Sequence, residues 1–99
     1  MIRPTSRPRL VSKARLRLDT ITGRYLLLYP EHGLELGDTA ATILLACQGN
    51  RDVADIVREL RALYPNTDPG TLEHEVLEFL QTMVARGLVC DQAPPPPWN

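Results

Sequence analysis

The side chains that could support nucleophilic or metal chemistry are two cysteines, Cys47 and Cys90, and two histidines, His32 and His74. A nucleophile needs a base beside it, and a zinc site needs several ligands at workable spacing. The cysteines lie far apart and form no Cys-x-x-Cys pair, and the histidines fall on two further elements. Because an unpaired cysteine commonly packs as a small apolar residue, we expect Cys47 to be buried and both histidines to lie on the surface.

The acidic and glycine residues offer no better candidates for catalysis. Glu73, Glu75 and Glu78 lie near the start or on the wet side of a predicted helix, where carboxylates favour the helix dipole and solubility. Gly33 and Gly37 are isolated turn glycines and do not form a phosphate-binding loop. We therefore expect no catalytic residue, no metal site and no cofactor, and a function in binding.

The chain has 99 residues, 43% of them apolar and 23% charged, which is the composition of one small folded domain. Its net charge of −1 conceals a basic arm on an acidic body, because residues 1–24 hold seven basic groups against one acid and residues 25–99 hold four basic and eleven acidic groups. The N-terminus lacks the apolar stretch of a secretory signal, and no apolar run reaches the ~20 residues that cross a bilayer. We expect a reduced protein of the cytoplasm that does not bind a membrane.

Three short apolar runs predict strands. Residues 14–18 and 34–36 alternate between apolar and polar side chains, whereas residues 25–29 are apolar on both faces until Pro30 ends the run. A strand that is apolar on both faces is usually central in its sheet. The pattern therefore predicts a three-stranded antiparallel meander with residues 25–29 in the middle.

Three helical segments follow the strands. Apolar residues recur at three- and four-residue steps over about 39–48, 53–63 and 69–86. The expected caps are Asp38 or Gly37 for the first helix, Asp52 for the second and Asp68 for the third. Strands followed by helices make an α+β chain, and this order resembles a winged helix-turn-helix unit whose wing comes first.

The two ends of the chain differ from this body. Residues 1–13 carry two prolines and no sustained apolar period, so we expect an extended basic arm that becomes ordered only when something holds it. Residues 92–99 form a proline-rich tail, which places the folded domain at residues 14–91. An arm able to leave its own body would permit a strand-exchanged homodimer.

The winged-helix order raises the alternative of a DNA-binding regulator. In such domains one helix enters the major groove and presents basic or amide side chains to bases and phosphates. The third predicted helix instead exposes Glu75 and Glu78, with only His74 and Arg86 to balance them. Contact with phosphates would be repulsive, so we expect no specific binding to nucleic acid.

Two features favour the binding of a peptide. The run Leu34-Glu35-Leu36 forms an edge of the meander with a single charge, whereas the first strand carries Arg15 and Arg17, which discourage pairing. The apolar residues of the third helix cover about 180° of its circumference, which means either that half of this arc is spare or that the other elements cover all of it. These residues are Leu72, Val76, Leu77, Phe79, Leu80, Met83, Val84 and Leu88. A helix beside an open edge strand is one way to form a peptide groove.

A series of short motifs runs from Tyr25 to Val57. They are Tyr29-Pro30-Glu31, Thr39-Ala40-Ala41 followed by Ile43-Leu44, Cys47-x-Gly49, and Val53-Ala54-Asp55-Ile56-Val57. In this order they resemble the PqqD family, the D protein of pyrroloquinoline quinone (PQQ) biosynthesis, and the resemblance covers about residues 8–91. Gly37 stands where the family usually has Asn, which leaves Asp38 to cap the first helix, and Asp52 replaces a common Thr or Ser.

The resemblance implies a winged-helix module without catalytic activity that binds the precursor peptide PqqA and presents it to PqqE, a radical S-adenosylmethionine enzyme. In related recognition modules the leader segment of the precursor joins the sheet as an extra strand and packs on the third helix. Carried over to this chain, the peptide would contact Leu34, Glu35 and Leu36 and, on the helix, Leu72, Val76, Phe79, Leu80 or Met83. The resemblance therefore agrees with the edge strand that the residues themselves indicate.

Overall fold

The computed structural model describes residues 2–92, which form two small sheets and three helices. In chain order the elements are β1 (Pro8–Leu10), β2 (Arg15–Asp19), β3 (Arg24–Tyr29), β4 (His32–Glu35), α1 (Asp38–Leu45), α2 (Val53–Leu63), α3 (Pro69–Ala85) and β5 (Val89–Asp91). β2, β3 and β4 form an antiparallel sheet in that order, and β1 pairs with β5. The prediction of an α+β chain with a three-stranded meander before three helices is confirmed. Among these residues no helix is both long and apolar enough to cross a membrane.

Side-chain caps explain where α2 and α3 begin. The carboxylates of Asp52 and Asp68 each accept a hydrogen bond from the backbone N–H three residues later, at 2.9 and 3.0 Å. The bond from the backbone of Thr71 is the main cause that lowers the pKa of the Asp68 carboxyl. Of the two caps expected for α1, Gly37 occupies the N-cap position without any side-chain bond, whereas Asp38 is already helical and does not serve as the cap.

The N-terminal segment, defined here as residues 2–10, packs against the body and is not a free extended arm. Its strand β1 pairs with β5, and the side chains of Ile2, Ser6 and Pro8 are buried. The expectation for residues 1–13 is therefore wrong in this respect, because contacts with residues distant in sequence order the segment. Residues 93–99, which make up most of the predicted proline-rich tail, lie outside the described residues.

Backbone hydrogen bonds from the N-terminal segment complete the start of α2. The carbonyl of Ser6 accepts the N–H of Val53 at 2.9 Å, and the carbonyl of Pro4 accepts the N–H of Ala54 at 3.0 Å. The first N–H groups of a helix have no partner inside the helix. Together with the Asp52 cap, the N-terminal segment satisfies the first three of these donors.

The loop between α1 and α2 explains one of the sequence motifs. Gly49 has a φ of 81°, and its N–H donates to the carbonyl of Pro8 at 3.0 Å. A Cβ at this position would lie 3.3 Å from the side chain of Gln92 and 3.5 Å from that of Arg9. Glycine is therefore favoured both by the left-handed backbone and by the close approach of β1.

The core lies between the inner face of the meander and the three helices. Its fully buried side chains are Leu27, Leu44, Val53, Ile56, Leu60, Val76 and Leu80. Cys47 is buried as expected, and its thiol donates to the carbonyl of Ile43 at 3.2 Å. Burial raises the pKa of the Cys47 thiol to about 12, which keeps the sulfur protonated and unreactive at neutral pH.

Candidate functional site

The free edge of β4 is the first part of the site. β4 pairs with β3 on one side, and no other strand within residues 2–92 pairs with its second side. In an antiparallel edge strand every other residue points its backbone N–H and C=O away from the sheet. β4 therefore presents backbone donors and acceptors that an incoming strand could bond.

The register of β4 shows which residues carry these outward groups. The N–H of Leu36 donates to the carbonyl of Tyr25 at 2.9 Å, so Leu36 faces β3. Orientation alternates along the strand, and Leu34 therefore also faces β3. Gly33 and Glu35 point their N–H and C=O groups outward.

The side chains of the predicted edge residues have three different environments. Leu36 is buried, and Leu34 is half-buried against the core. Glu35 is exposed and lies 3.5 Å from Arg24 in an ion pair whose partners are both more than half exposed. Such a pair contributes little to stability. Of the three residues, only Glu35 combines an outward backbone with an accessible side chain.

The structure buries four of the five predicted contact residues on α3. They are Leu72, Val76, Leu80 and Met83. α2 and β5 pack against α3, and these side chains belong to the central hydrophobic cluster. The wide apolar arc of α3 is thus mostly core, and the expectation that these four residues line an open groove is wrong for this conformation.

Phe79, the fifth predicted contact residue, is half-buried at the rim of the core. It lines a shallow depression of about 460 Å³ together with His74, Glu75, Glu78 and Thr82. His74 Nε2 lies 3.1 Å from a carboxylate oxygen of Glu78. An aromatic ring beside two exposed carboxylates suits a peptide segment with apolar and basic side chains. The helical spacing of these residues around Phe79 is a signal in the sequence that could have indicated this surface, whereas the expectation for the acids names only the helix dipole and solubility.

The side chains considered for metal or thiol chemistry do not come together. Among residues 2–92 no three His, Cys, Asp or Glu side chains are grouped so that they could hold a metal ion. His32 and His74 are exposed on separate elements, and Cys47 and Cys90 are free thiols.

Comparisons of the sequence identify relatives over most of the chain. The family model described as coenzyme PQQ synthesis protein D (PqqD) matches residues 24–89. A PqqA binding protein of Rhodopseudomonas palustris (strain TIE-1) is 36% identical over 87 residues, which are 88% of this chain and 84% of that protein. A PqqA binding protein of Azotobacter vinelandii is 37% identical over 82 residues, which are 83% of this chain and 87% of that protein.

A solved structure extends the similarity to the fold. The solution NMR structure of the PqqD truncation of Methylobacterium extorquens PqqCD matches with a TM-score of 0.76 and 28% sequence identity, covering 91% of this chain and 95% of that chain. That protein is described as a functional, stand-alone recognition element for ribosomally synthesised and post-translationally modified peptides (RiPPs). Since the family model covers two thirds of the sequence and the identities with the relatives exceed 30%, this chain belongs to the PqqD family.

Proposed function

We propose that this chain binds the PQQ precursor peptide PqqA and acts as a recognition module without catalytic activity of its own. The observation that carries the proposal is the free β4 edge in a member of a family whose relatives are named PqqA binding proteins. The M. extorquens relative is described as a RiPP recognition element, which is a binding role and not a catalytic one. Both lines of support concern the same activity, the capture of a peptide.

In the proposed complex the peptide adds to the sheet as a fourth strand beside β4. Gly33 and Glu35 exchange backbone hydrogen bonds with it, and this pairing sets the direction and register of the peptide. Leu34 and Phe79, both half-buried at the rim of the core, supply apolar contacts for its side chains. Leu36 is buried and supports the edge from within.

A peptide held in this way keeps both of its ends free. Backbone pairing uses only the residues that run alongside β4, so the segment beyond them can reach an active site on another protein. We assign that active site to PqqE, the radical S-adenosylmethionine enzyme, to which this chain presents the peptide. The free thiols of Cys47 and Cys90 are compatible with a reducing cytoplasm as the place of this transfer.

The charges of α3 favour this function over that of a DNA-binding regulator. Glu75 and Glu78 are exposed on the surface that surrounds Phe79. A helix that enters the major groove must approach phosphates, which these carboxylates repel. We therefore expect no complex with a defined DNA duplex at physiological salt.

A titration of ¹⁵N-labelled protein with synthetic PqqA, followed by amide chemical shifts, tests the proposal. We expect saturable binding with the largest shifts at Gly33, Glu35 and the helical turn around Phe79. A duplex DNA added in a parallel titration should cause only small shifts that disappear as salt is raised. Absence of peptide binding, or a nanomolar complex with the duplex, would contradict the proposed function.

Alanine substitutions on α3 are expected to separate binding from stability. Phe79→Ala should weaken PqqA binding about tenfold, because aromatic side chains at the centre of a contact contribute strongly to affinity. Met83→Ala removes a buried side chain and should lower the free energy of unfolding by about 2–5 kcal/mol. Calorimetric titration and thermal melts measure the two effects. If folded Met83→Ala protein loses more affinity than Phe79→Ala protein, the peptide contacts a different side of α3.

A further inference from the structure

The alternation of β2 places its two arginines on the face of the sheet that turns away from the core. Leu16 packs against the core, so its neighbours Arg15 and Arg17 point to the opposite face. Arg15 lies opposite Leu28 and Arg17 lies opposite Leu26 in the register of β2 and β3. Residues directly opposite each other share a face of the sheet. These four residues are named here the outer sheet face.

Two cations at the outer sheet face, Lys13 and Arg15, make no ion pair within residues 2–92, whereas Arg17 interacts with the carboxylate of Asp19. A shallow depression of about 430 Å³ is lined by Lys13, Arg15, Arg17, Leu28, Tyr29 and Pro30, without any carboxylate. Asp19, the acid on β2, accepts the N–H of Ile21 at 2.9 Å, which is the main cause that lowers the pKa of its carboxyl, and the charge of Arg17 lowers this pKa further. The surface therefore attracts negative charge from outside the chain.

Apolar surface adjoins these cations. Leu26 and Leu28 are half-buried on the outer sheet face, and at the β2–β3 hairpin Leu18 and Ile21 are 47% and 93% exposed. A second depression of about 290 Å³ joins this hairpin to Arg17 and Leu26, and Asp19 is its single acidic lining residue. Arginine together with exposed apolar side chains is typical of surfaces that bind other proteins.

We propose that the outer sheet face docks an acidic, extended segment of a partner protein. Side chains two residues apart on a strand lie about 7 Å apart on the same face. Carboxylates at alternate positions of an extended segment therefore match the spacing of Arg15 and Arg17 and can pair with both guanidinium groups. The apolar side chains of the same segment cover Leu26 and Leu28.

Other occupants satisfy only part of this surface. Phosphates of nucleic acid would meet the arginines but would gain nothing from the leucines opposite them on β3. Two copies of this chain placed face to face would bring like charges together. Contact between the acidic side of α3 on one copy and the outer sheet face of another would pair the charges but would leave Leu26 and Leu28 facing carboxylates. An acidic polypeptide satisfies both the charges and the apolar surface.

The outer sheet face adjoins β4, because Glu35 lies opposite Leu26 and shares that face, but the free backbone groups of β4 point sideways out of the sheet. β3 lies between β2 and β4, and a peptide strand added at β4 extends the sheet in its own plane. One protein molecule can therefore hold a peptide at β4 and a partner on the outer sheet face at the same time. The docking proposal does not depend on what binds at β4, and the two can be tested independently.

The peptide acetyl-Leu-Ser-Glu-Ser-Glu-Ser-Leu-amide is a suitable probe, because its alternate positions present two carboxylates between two leucines. Titrated into ¹⁵N-labelled protein at low salt, it should shift the amides of β2 and β3 around Arg15, Arg17, Leu26 and Leu28. The same peptide with Gln in place of both Glu residues should bind about tenfold more weakly, because the two ion pairs are lost. Sedimentation of the protein alone should show no self-association.

The double variant Arg15→Ser/Arg17→Ser should lose about tenfold in affinity for the acidic probe. The matched control is Arg58→Ser/Arg61→Ser, which removes the same charge from the exposed side of α2 and should bind the probe like the parent. An equal loss of affinity in both double variants would mean that only the net charge of the protein matters. Chemical shift changes confined to β4 or α3, or no changes at millimolar probe, would mean that the probe does not bind the outer sheet face. A duplex DNA that binds this face more tightly than the probe, or head-to-tail self-association that the arginine variant abolishes, would also overturn the proposal.

Discussion

Deletion of residues 2–10 is expected to unfold most of the protein near its normal working temperature. The deletion removes the buried side chains of Ile2 and Pro8 and leaves the first N–H groups of α2 without their partners. Burial of an isoleucine contributes about 2 kcal/mol, and each lost backbone hydrogen bond costs about 1 kcal/mol. A loss on the order of 4 kcal/mol should lower the melting temperature by roughly 20 °C in a domain of this size.

A full-length variant with Arg3, Arg7 and Arg9 replaced by serine is the matched control for this deletion. All three side chains are exposed, so the variant keeps the backbone contacts of the N-terminal segment while it loses the positive charge. Its thermal melt should coincide with that of the parent, and any effect on association with an acidic partner should appear in the rate at low salt. A truncated protein that melts within about 5 °C of the parent would contradict the structural role of the segment.

Proline at position 35 is expected to weaken PqqA binding tenfold or more, on the order of 1.4 kcal/mol. The N–H of Glu35 points away from β3, so its removal breaks no hydrogen bond within the sheet. An added peptide strand would lose one backbone donor and would meet the proline ring at the edge. Calorimetric titration measures the affinity, and circular dichroism shows that the fold is retained.

The control for this variant is Glu35→Ala, which removes the carboxylate and its ion pair with Arg24 but keeps the N–H. It should bind PqqA within about twofold of the parent, since exposed ion pairs contribute little. Gly33→Pro tests the second outward position in the same way. Proline at Leu34 or Leu36 should instead destabilise the fold, because these residues face β3. Folded Glu35→Pro and Gly33→Pro proteins that bind as tightly as Glu35→Ala would exclude strand addition at β4.

The sequence predicts the edge strand but not which of its backbone N–H and C=O groups point away from the sheet. The alternation around Leu34-Glu35-Leu36 was sufficient to predict a short edge strand, because alternation is a local property. Which of these residues points its N–H outward depends on the register with β3, and the bond from Leu36 to Tyr25 decides it. A shift of one residue would have exchanged the inward and outward positions.

The apolar arc of α3 shows a second limit of the sequence. The sequence gives the width of the apolar arc, about 180° of the helix circumference. Periodicity alone cannot show whether half of this arc is exposed or whether other elements cover all of it. Packing by α2 and β5 buries Leu72, Val76, Leu80 and Met83, and it leaves Phe79 half-buried at the rim. Whether other elements cover the face of a helix depends on the tertiary structure, and it cannot be deduced from a short stretch of sequence.

The sequence by itself determined the three strands of the meander, the three helices and the family, because periods of two and of 3.6 residues, caps, turn glycines and short motifs are signals carried by neighbouring residues. Only the tertiary structure decided the place of the N-terminal segment. Its prolines and irregular pattern indicate no regular element, and β1 exists because β5, some eighty residues later, supplies the pairing. Contacts between such distant residues depend on the folding of everything between them. A local analysis therefore predicted an extended arm, whereas the structure has β1 and, before it, the carbonyls of Pro4 and Ser6 that complete the start of α2.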